Sequence, residues 1–170
     1  MSLEEFFGVL LIAASPVVEL RGAIPLAIYT YDFPWYSAFA ISVIGNLLPV
    51  PLLLVLWDKL SRLLSKIGVC ERILRWVYAR TRRQGRLIKK YERVGLMLFV
   101  AVPLPFTGAW TGSIAAFLFG IEFRKALLSI VSGVIIAGAI VTCLSLLGWI
   151  GALLAGIGLI TLAILGQWKI

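Results

Sequence analysis

The chain has no histidine among its 170 residues and only two cysteines, Cys70 and Cys143, the second inside an apolar run. That inventory excludes the usual zinc sites, a disulfide framework and a Cys-His nucleophile, so no metal or cofactor is expected. Acidic residues are also scarce, eight against 16 Lys and Arg, and no two lie at helical spacing in a way that offers paired acid-base chemistry. No enzymatic activity is expected. The charge balance of +8 would suit nucleic acid, but the basic residues are gathered in one block, without the motifs of a nucleic-acid module.

What is abundant is apolar surface. Hydrophobic residues make up 61% of the chain and the mean hydropathy is +1.03, values that belong to an integral membrane protein. Uncharged runs cover 35–57, 94–121 and 126–168. A helix needs about 20 residues to cross a ~30 Å hydrocarbon core, so the last run is long enough for two passes and should fold back near Gly148–Gly151. Ala13-Ala14-Ser15 resembles a signal-peptidase site, yet Glu4 and Glu5 stand where a secretory signal has Lys or Arg, and no cleavage is expected.

Between Asp58 and Arg93 lie most of the basic residues of the chain. A basic block joining membrane segments belongs in the cytoplasm. Leu60, Leu63, Leu64, Ile67, Leu74 and Val77 fall near helical spacing with Lys59, Arg62, Lys66 and Arg75 among them, which predicts an amphipathic helix at the lipid surface. Its arginines read as headgroup anchors, with Thr81–Arg86 as a turn.

Two apolar stretches are interrupted near their middles. Residues 3–14 are too short to span, and Ser15-Pro16 has the form of a fresh helix start, with Ser at the N-cap and Pro at the first helical position. The run at 94–121 is interrupted at Val102-Pro103-Leu104-Pro105-Phe106-Thr107-Gly108. Broken segments suit re-entrant hairpins, whose non-helical tips are tolerated where they line a cavity or are buried in protein. For the first segment a single tilted span from Phe6 to Ile28, kinked at Pro16, competes.

If both hairpins are re-entrant, every Lys and Arg except Arg21 falls on the cytoplasmic side, and Glu4, Glu5 and Asp32 fall outside, as the positive-inside rule favours. The halves also resemble each other. Ala14-Ser15-Pro16 parallels Ala101-Val102-Pro103, Gly22-Ala23 parallels Gly108-Ala109, Asp32-Phe33 parallels Glu122-Phe123, and Gly45 parallels Gly133. The expected architecture is an all-α integral membrane protein with an inverted repeat of hairpin plus transmembrane helix. The first repeat is 1–57, with hairpin 3–30 and span 35–57. The basic segment 58–93 is followed by a second repeat, 94–148, with hairpin 94–121 and span 126–148. A final span covers 151–168.

Glu19 and Arg21 sit in otherwise uncharged surroundings. Ionisable groups at membrane depth are costly unless they face a cavity or a partner, so the pair marks a candidate site. Residues two apart on a helix point to different sides, which favours both reaching one cavity at a non-helical tip. Glu19 would exchange a proton, and Arg21 would hold an anionic group with help from the N–H groups of the half-helices beginning near Ser15 and Thr107. The plainer reading makes Glu19 a favourable charge in a first helical turn and Arg21 its partner or a snorkelling side chain. Asn46, Thr107, Trp110 and Thr111 are further lining candidates, although the threonines could serve local backbone and the tryptophan ordinary packing. Asn46 lies in Gly45–Pro51, where Pro49 and Pro51 remove backbone donors, so that stretch reads either as a packing kink or as a substrate-facing break. Pro16, Pro25, Pro103, Pro105 and Gly108 are the expected hairpin breaks.

Glu-Leu-Arg-Gly-Ala-Ile-Pro-Leu at 19–26 and Val-Pro-Leu-Pro-Phe-Thr-Gly-Ala-Trp-Thr-Gly at 102–112 resemble the signatures of the small multidrug export protein family. More distantly, Tyr91-Glu92-Arg93-Val94-Gly95 before the Pro103 hairpin resembles the DedA superfamily. That resemblance implies facing hairpins and proton-coupled transport of a small polar or phosphate-bearing solute, free or lipid-linked, in the cytoplasmic membrane of a prokaryote. One departure stands out: typical DedA proteins carry arginines around the second proline, and Val102–Thr107 has none. A cationic drug exporter and a non-transporting membrane organiser remain alternatives. Besides lipids and solute, a second copy of the chain is a candidate partner, since Gly148, Gly151, Gly156 and Gly158 permit close helix contact, internal or between copies.

Overall fold

The computed structural model describes residues 2–56, 85–103, 107–148, 150–153, 156–158 and 161, with the backbone alone for 85–92. The described residues are helical and include no strand. We label α1 Leu3–Ala14, α2 Glu19–Tyr29, α3 Trp35–Leu47, α4 Gly85–Ala101, α5 Ala109–Leu118 and α6 Phe123–Leu146. Among the described residues two helices are long and apolar enough to cross a membrane, Trp35–Leu56 and Phe123–Leu146, at 22 and 24 residues. The expected amphipathic helix over Leu60–Val77, Cys70, Pro105 and most of the last span 151–168 lie outside the described residues.

A Ser-x-x-Glu capping box opens α1. The Ser2 hydroxyl accepts from Glu5 N–H at 3.2 Å while Ser2 N–H donates to Glu5 Oε2 at 2.7 Å. At the other end the Ser-Pro start expected at Ser15 does not form. Ser15 caps the end of α1, its hydroxyl donating to Ile12 O at 2.8 Å and accepting from Val18 N–H at 3.3 Å, and residues 16–18 are a turn. Helix α2 begins three residues later, at Glu19, whose φ of 52° lies in the left-handed region. Pro25 sits inside α2 and does not break it, a correction to its expected role as a hairpin break. It withholds one N–H from the carbonyl of Arg21, a loss that the rest of the helix absorbs.

The arms α1 and α2 double back on each other. A β-carbon at Gly8 would stand 3.8 Å from Tyr31 Oη, whereas a single straight helix would separate these residues by about 35 Å. The two arms therefore lie side by side, unlike one straight helix over Phe6–Ile28. Val9, Ala13, Ala23, Ala27, Phe33, Ala38 and Ile41 form the core that joins α1, α2 and α3. After α3 the helical course is interrupted only at the turn Leu48-Pro49 and resumes over residues 50–56.

The second half repeats this plan with a different start. Helix α4 begins at Gly85, inside the basic stretch assigned to 58–93, and runs without interruption past Arg93 to Ala101. Nothing between Arg86 and Ala101 breaks a helix except the lone Gly95, so the charged and apolar parts form one rod. Helix α5 folds back on α4, with Gly112 against Val100 and Leu96. The span α6 starts at Phe123, three residues before the expected 126. It ends at Leu146 before Gly148, whose φ of 60° is the left-handed stop common at helix ends.

Each long helix packs tightly on the first arm of its own hairpin through one glycine. A β-carbon on Gly45 would lie 2.6 Å from Leu10 O in α1, and one on Gly133 would lie 2.8 Å from Met97 O in α4. The two three-helix groups meet where α6 packs on α2 and α3, around a shared core that includes Leu20, Ile24, Val43, Val100, Ile130 and Val134.

Candidate functional site at the meeting of two chain breaks

The breaks at 15–18 and 102–108 come together in the interior. Glu19 opens α2 in a backbone conformation that costs a non-glycine residue about 1–3 kcal/mol, and such strain persists only where the surroundings impose it. The carboxylate, 6% exposed, is turned onto the N-terminus of α5. There the N–H of Trp110 donates to Glu19 Oε1 at 3.5 Å, a long bond, and the amide of Ala109 adds to it. Gly108 leaves the space the carboxylate occupies: any side chain there would overlap it.

Arg21 takes a different part of the same loop. Its Nη2 donates to the Thr107 carbonyl oxygen and, at 2.9 Å, to Thr107 Oγ1. The Thr107 hydroxyl in turn donates to Val102 O at 2.7 Å. A reciprocal bond runs the other way, from Trp110 Nε1 to Ala14 O at 3.1 Å. Each break therefore satisfies backbone groups that the other leaves open, as non-helical chain away from water requires.

Asn46 stands at the third side. It is fully buried, and neither its Nδ2 nor its Oδ1 has a hydrogen-bond partner among the described residues. Together with Glu19, Leu20, Arg21, Val100, Gly108, Val134 and Ala137 it lines a narrow crevice with no room for even one water molecule. The described conformation is thus a closed one, in which an acid, a guanidinium and an amide converge with no space for a solute.

The residues singled out from the sequence divide accordingly. Glu19, Arg21 and Asn46 line the crevice, with Thr107 and Trp110 bonded to the first two. Thr111 donates weakly to Gly108 O at 3.4 Å and does not line it. Pro16 and Pro103 lie in the breaks, and Gly108 caps α5. Among the described residues no group of His, Cys, Asp or Glu is placed to hold a metal. Sequence spacing did not show that Gly108 is the seat of a carboxylate, or that the Trp110 indole reaches Ala14. Both partners are more than 85 residues away, beyond any local rule.

Residues 19–140, which contain Glu19, Arg21, Asn46 and the second break at 102–108, match the family described as "Putative small multi-drug export protein". The chain belongs to that family. Membership and the two long apolar helices make it a membrane protein, and the family's name points to export. No curated protein and no solved structure matches it.

Proposed function

We propose that the chain is a proton-coupled carrier of the DedA type, moving a small polar or phosphate-bearing solute, free or lipid-linked, across a prokaryotic plasma membrane. One observation carries the reading: Glu19 and Arg21, an acid and a base at the first break, both engage the second break beside the unpartnered amide of Asn46. Polar groups this costly to bury are retained where something charged or polar has to pass. The work done is movement, with no bond made or broken.

The membrane arrangement goes with this function. Helices α1, α2 and α5 have 12, 11 and 10 residues, about 15–18 Å each, or half a bilayer. Hairpin α1–α2 enters from outside and α4–α5 from the cytoplasm, so that their tips meet near the midplane, and the basic segment 58–93 stays cytoplasmic. The matched glycines Gly45 and Gly133, each seating a span on its own hairpin, support an inverted repeat, the plan in which opposed half-helices frame a transport site. Opening of the crevice to alternate faces then follows from rocking one half against the other.

The test is reconstitution in liposomes, following translocation of phosphate-headgroup lipids, small anions and cationic dyes, with Glu19→Gln and Arg21→Ala alongside. Flux of an anionic or phosphate-bearing substrate, lost in both variants, is the expected result. Dye flux that needs Glu19 alone would make the protein the cation exporter its family's name describes. Unchanged flux in both variants would remove the site, and no flux of any substrate would leave a membrane-organising protein held together by these contacts.

A further inference from the structure

We infer that the Glu19 carboxylate is an internal stand-in for the transported anion, and that a singly charged two-oxygen anion, a carboxylate or a phosphodiester, replaces it at the N-terminus of α5 when Glu19 takes up a proton. The inference rests on the transport reading and specifies what its site accepts.

The first N–H groups of a helix have no helical acceptor and favour negative charge, so α5, ten residues long, presents an anion seat. In the closed state that seat holds a side chain of the protein itself, with one charge and two oxygens. The hold is imperfect: beside the Ala109 amide the Trp110 bond is 3.5 Å long, and Glu19 keeps a strained backbone in this position. A group of the same charge with better geometry can displace it.

Asn46 supplies the independent observation. Both ends of its amide are buried in the crevice without a partner, and each unmet group of this kind costs about 1–3 kcal/mol. No neighbour in the closed state offsets that cost. After the exchange both ends have a use. Protonated Glu19 gains an O–H that needs an acceptor, which Asn46 Oδ1 offers, and the Asn46 NH₂ can donate to an oxygen of the incoming anion.

Charge sets the stoichiometry. Glu19 and Arg21 together are neutral, and the remaining residues around the crevice, Leu20, Asn46, Val100, Gly108, Val134 and Ala137, carry no titratable group. A monoanion arriving with one proton keeps the buried site neutral. A monoanion alone, or a dianion with one proton, leaves an uncompensated charge in a low-dielectric interior. The site therefore selects carboxylates and phosphodiesters over sulfate or a doubly ionised phosphate monoester.

Titration calorimetry on the full chain, in buffers of different ionisation enthalpy, tests this with acetate, dimethyl phosphate and sulfate. The expected result is one proton taken up per monoanion bound, no binding of sulfate, and in Glu19→Gln about tenfold or more tighter monoanion binding without proton uptake. Acetate and dimethyl phosphate separate the two chemistries. Translocation of phosphatidylglycerol in phosphatidylcholine vesicles separates a lipid headgroup from a free solute. Monoanion binding without proton uptake by the unmodified chain, sulfate bound as well as acetate, or no binding of either monoanion would overturn the inference, and the proton count does not depend on any variant folding. If binding and proton uptake occur without flux, the transport reading fails and the exchange stands. If flux occurs without proton uptake, the exchange fails and transport stands.

Discussion

The carboxylate of Glu19 occupies the position that a side chain on Gly108 would take, so it keeps that seat only while residue 108 has no β-carbon. They are 89 positions apart in the chain and belong to different hairpins. The relation makes Gly108 a partner of Glu19 as well as a flexible point in the loop.

Gly108→Ala is therefore expected to destabilise the protein by about 1–3 kcal/mol, as overpacking of a closed interior does. Thermal unfolding in detergent measures it. Glu19→Ala in the same chain removes the group in the way and should recover the part of the loss due to overlap, leaving the strain of an alanine at a φ of 158°, so the two substitutions couple by about 1 kcal/mol. Simple additivity would mean that the carboxylate does not sit at Gly108.

Arg21 holds Thr107 through a guanidinium nitrogen that reaches both the backbone oxygen and the hydroxyl. Lysine keeps the charge but not the planar fork. Arg21→Lys should lower flux about tenfold, some 1.4 kcal/mol, and Arg21→Ala by much more. Equal flux in Arg21→Lys and the unmodified chain would reduce Arg21 to a point charge. Thr107→Val, which removes the hydroxyl while leaving the carbonyl, should fall between the two variants.

Much of this arrangement was legible in the sequence, and the misses have physical causes. An acid and a base in uncharged surroundings marked two residues that the fold brings onto the second break, because burial makes their presence expensive whatever the fold. The offset that matched Gly45 to Gly133 found two positions where backbones touch, since only glycine fits there. Ser15-Pro16 was misleading because a Ser-Pro pair can open a helix or close one, and the choice depends on where the next helix is anchored. Here that anchor is Glu19, drawn into a left-handed conformation by a partner no local pattern reveals. The charge boundary read at Arg93 left no mark on α4, which runs through it, because charge alone does not break a helix and only Gly95 interrupts the helix formers there.

Asn46 offers a separation of stability from function. Asn46→Leu is close to isosteric and replaces two unmet polar atoms with apolar surface, so the protein should become more stable by about 1–3 kcal/mol. Flux should fall at the same time. A stabilised variant with undiminished flux would show that the amide plays no part in transport.

If Gly45 and Gly133 are equivalent positions of an inverted repeat, their substitution should have equivalent effects. Each added methyl meets a carbonyl oxygen and a side chain of the hairpin's first arm at under 3 Å. Gly45→Ala and Gly133→Ala should each destabilise by about 1–3 kcal/mol, separating a span from its hairpin. A large effect at one position and none at the other would argue against matched halves.

The orientation of the hairpins can be read by labelling single cysteines, in a background lacking Cys70 and the exposed Cys143. If the arms are re-entrant they add no crossing, and the one crossing between Glu4 and the basic segment is then the span Trp35–Leu56. Glu4→Cys should then react with an impermeant maleimide from outside. On the proposed topology hairpin α4–α5 returns the chain to the side it left, so Arg124→Cys, at the start of α6, should react only once the cytoplasmic face is opened. If α4 and α5 instead carried the chain across, Arg124→Cys would be labelled from outside. If α1–α2 crossed, Glu4→Cys would be labelled only from within, on the same side as the basic segment, and the first hairpin would not be re-entrant.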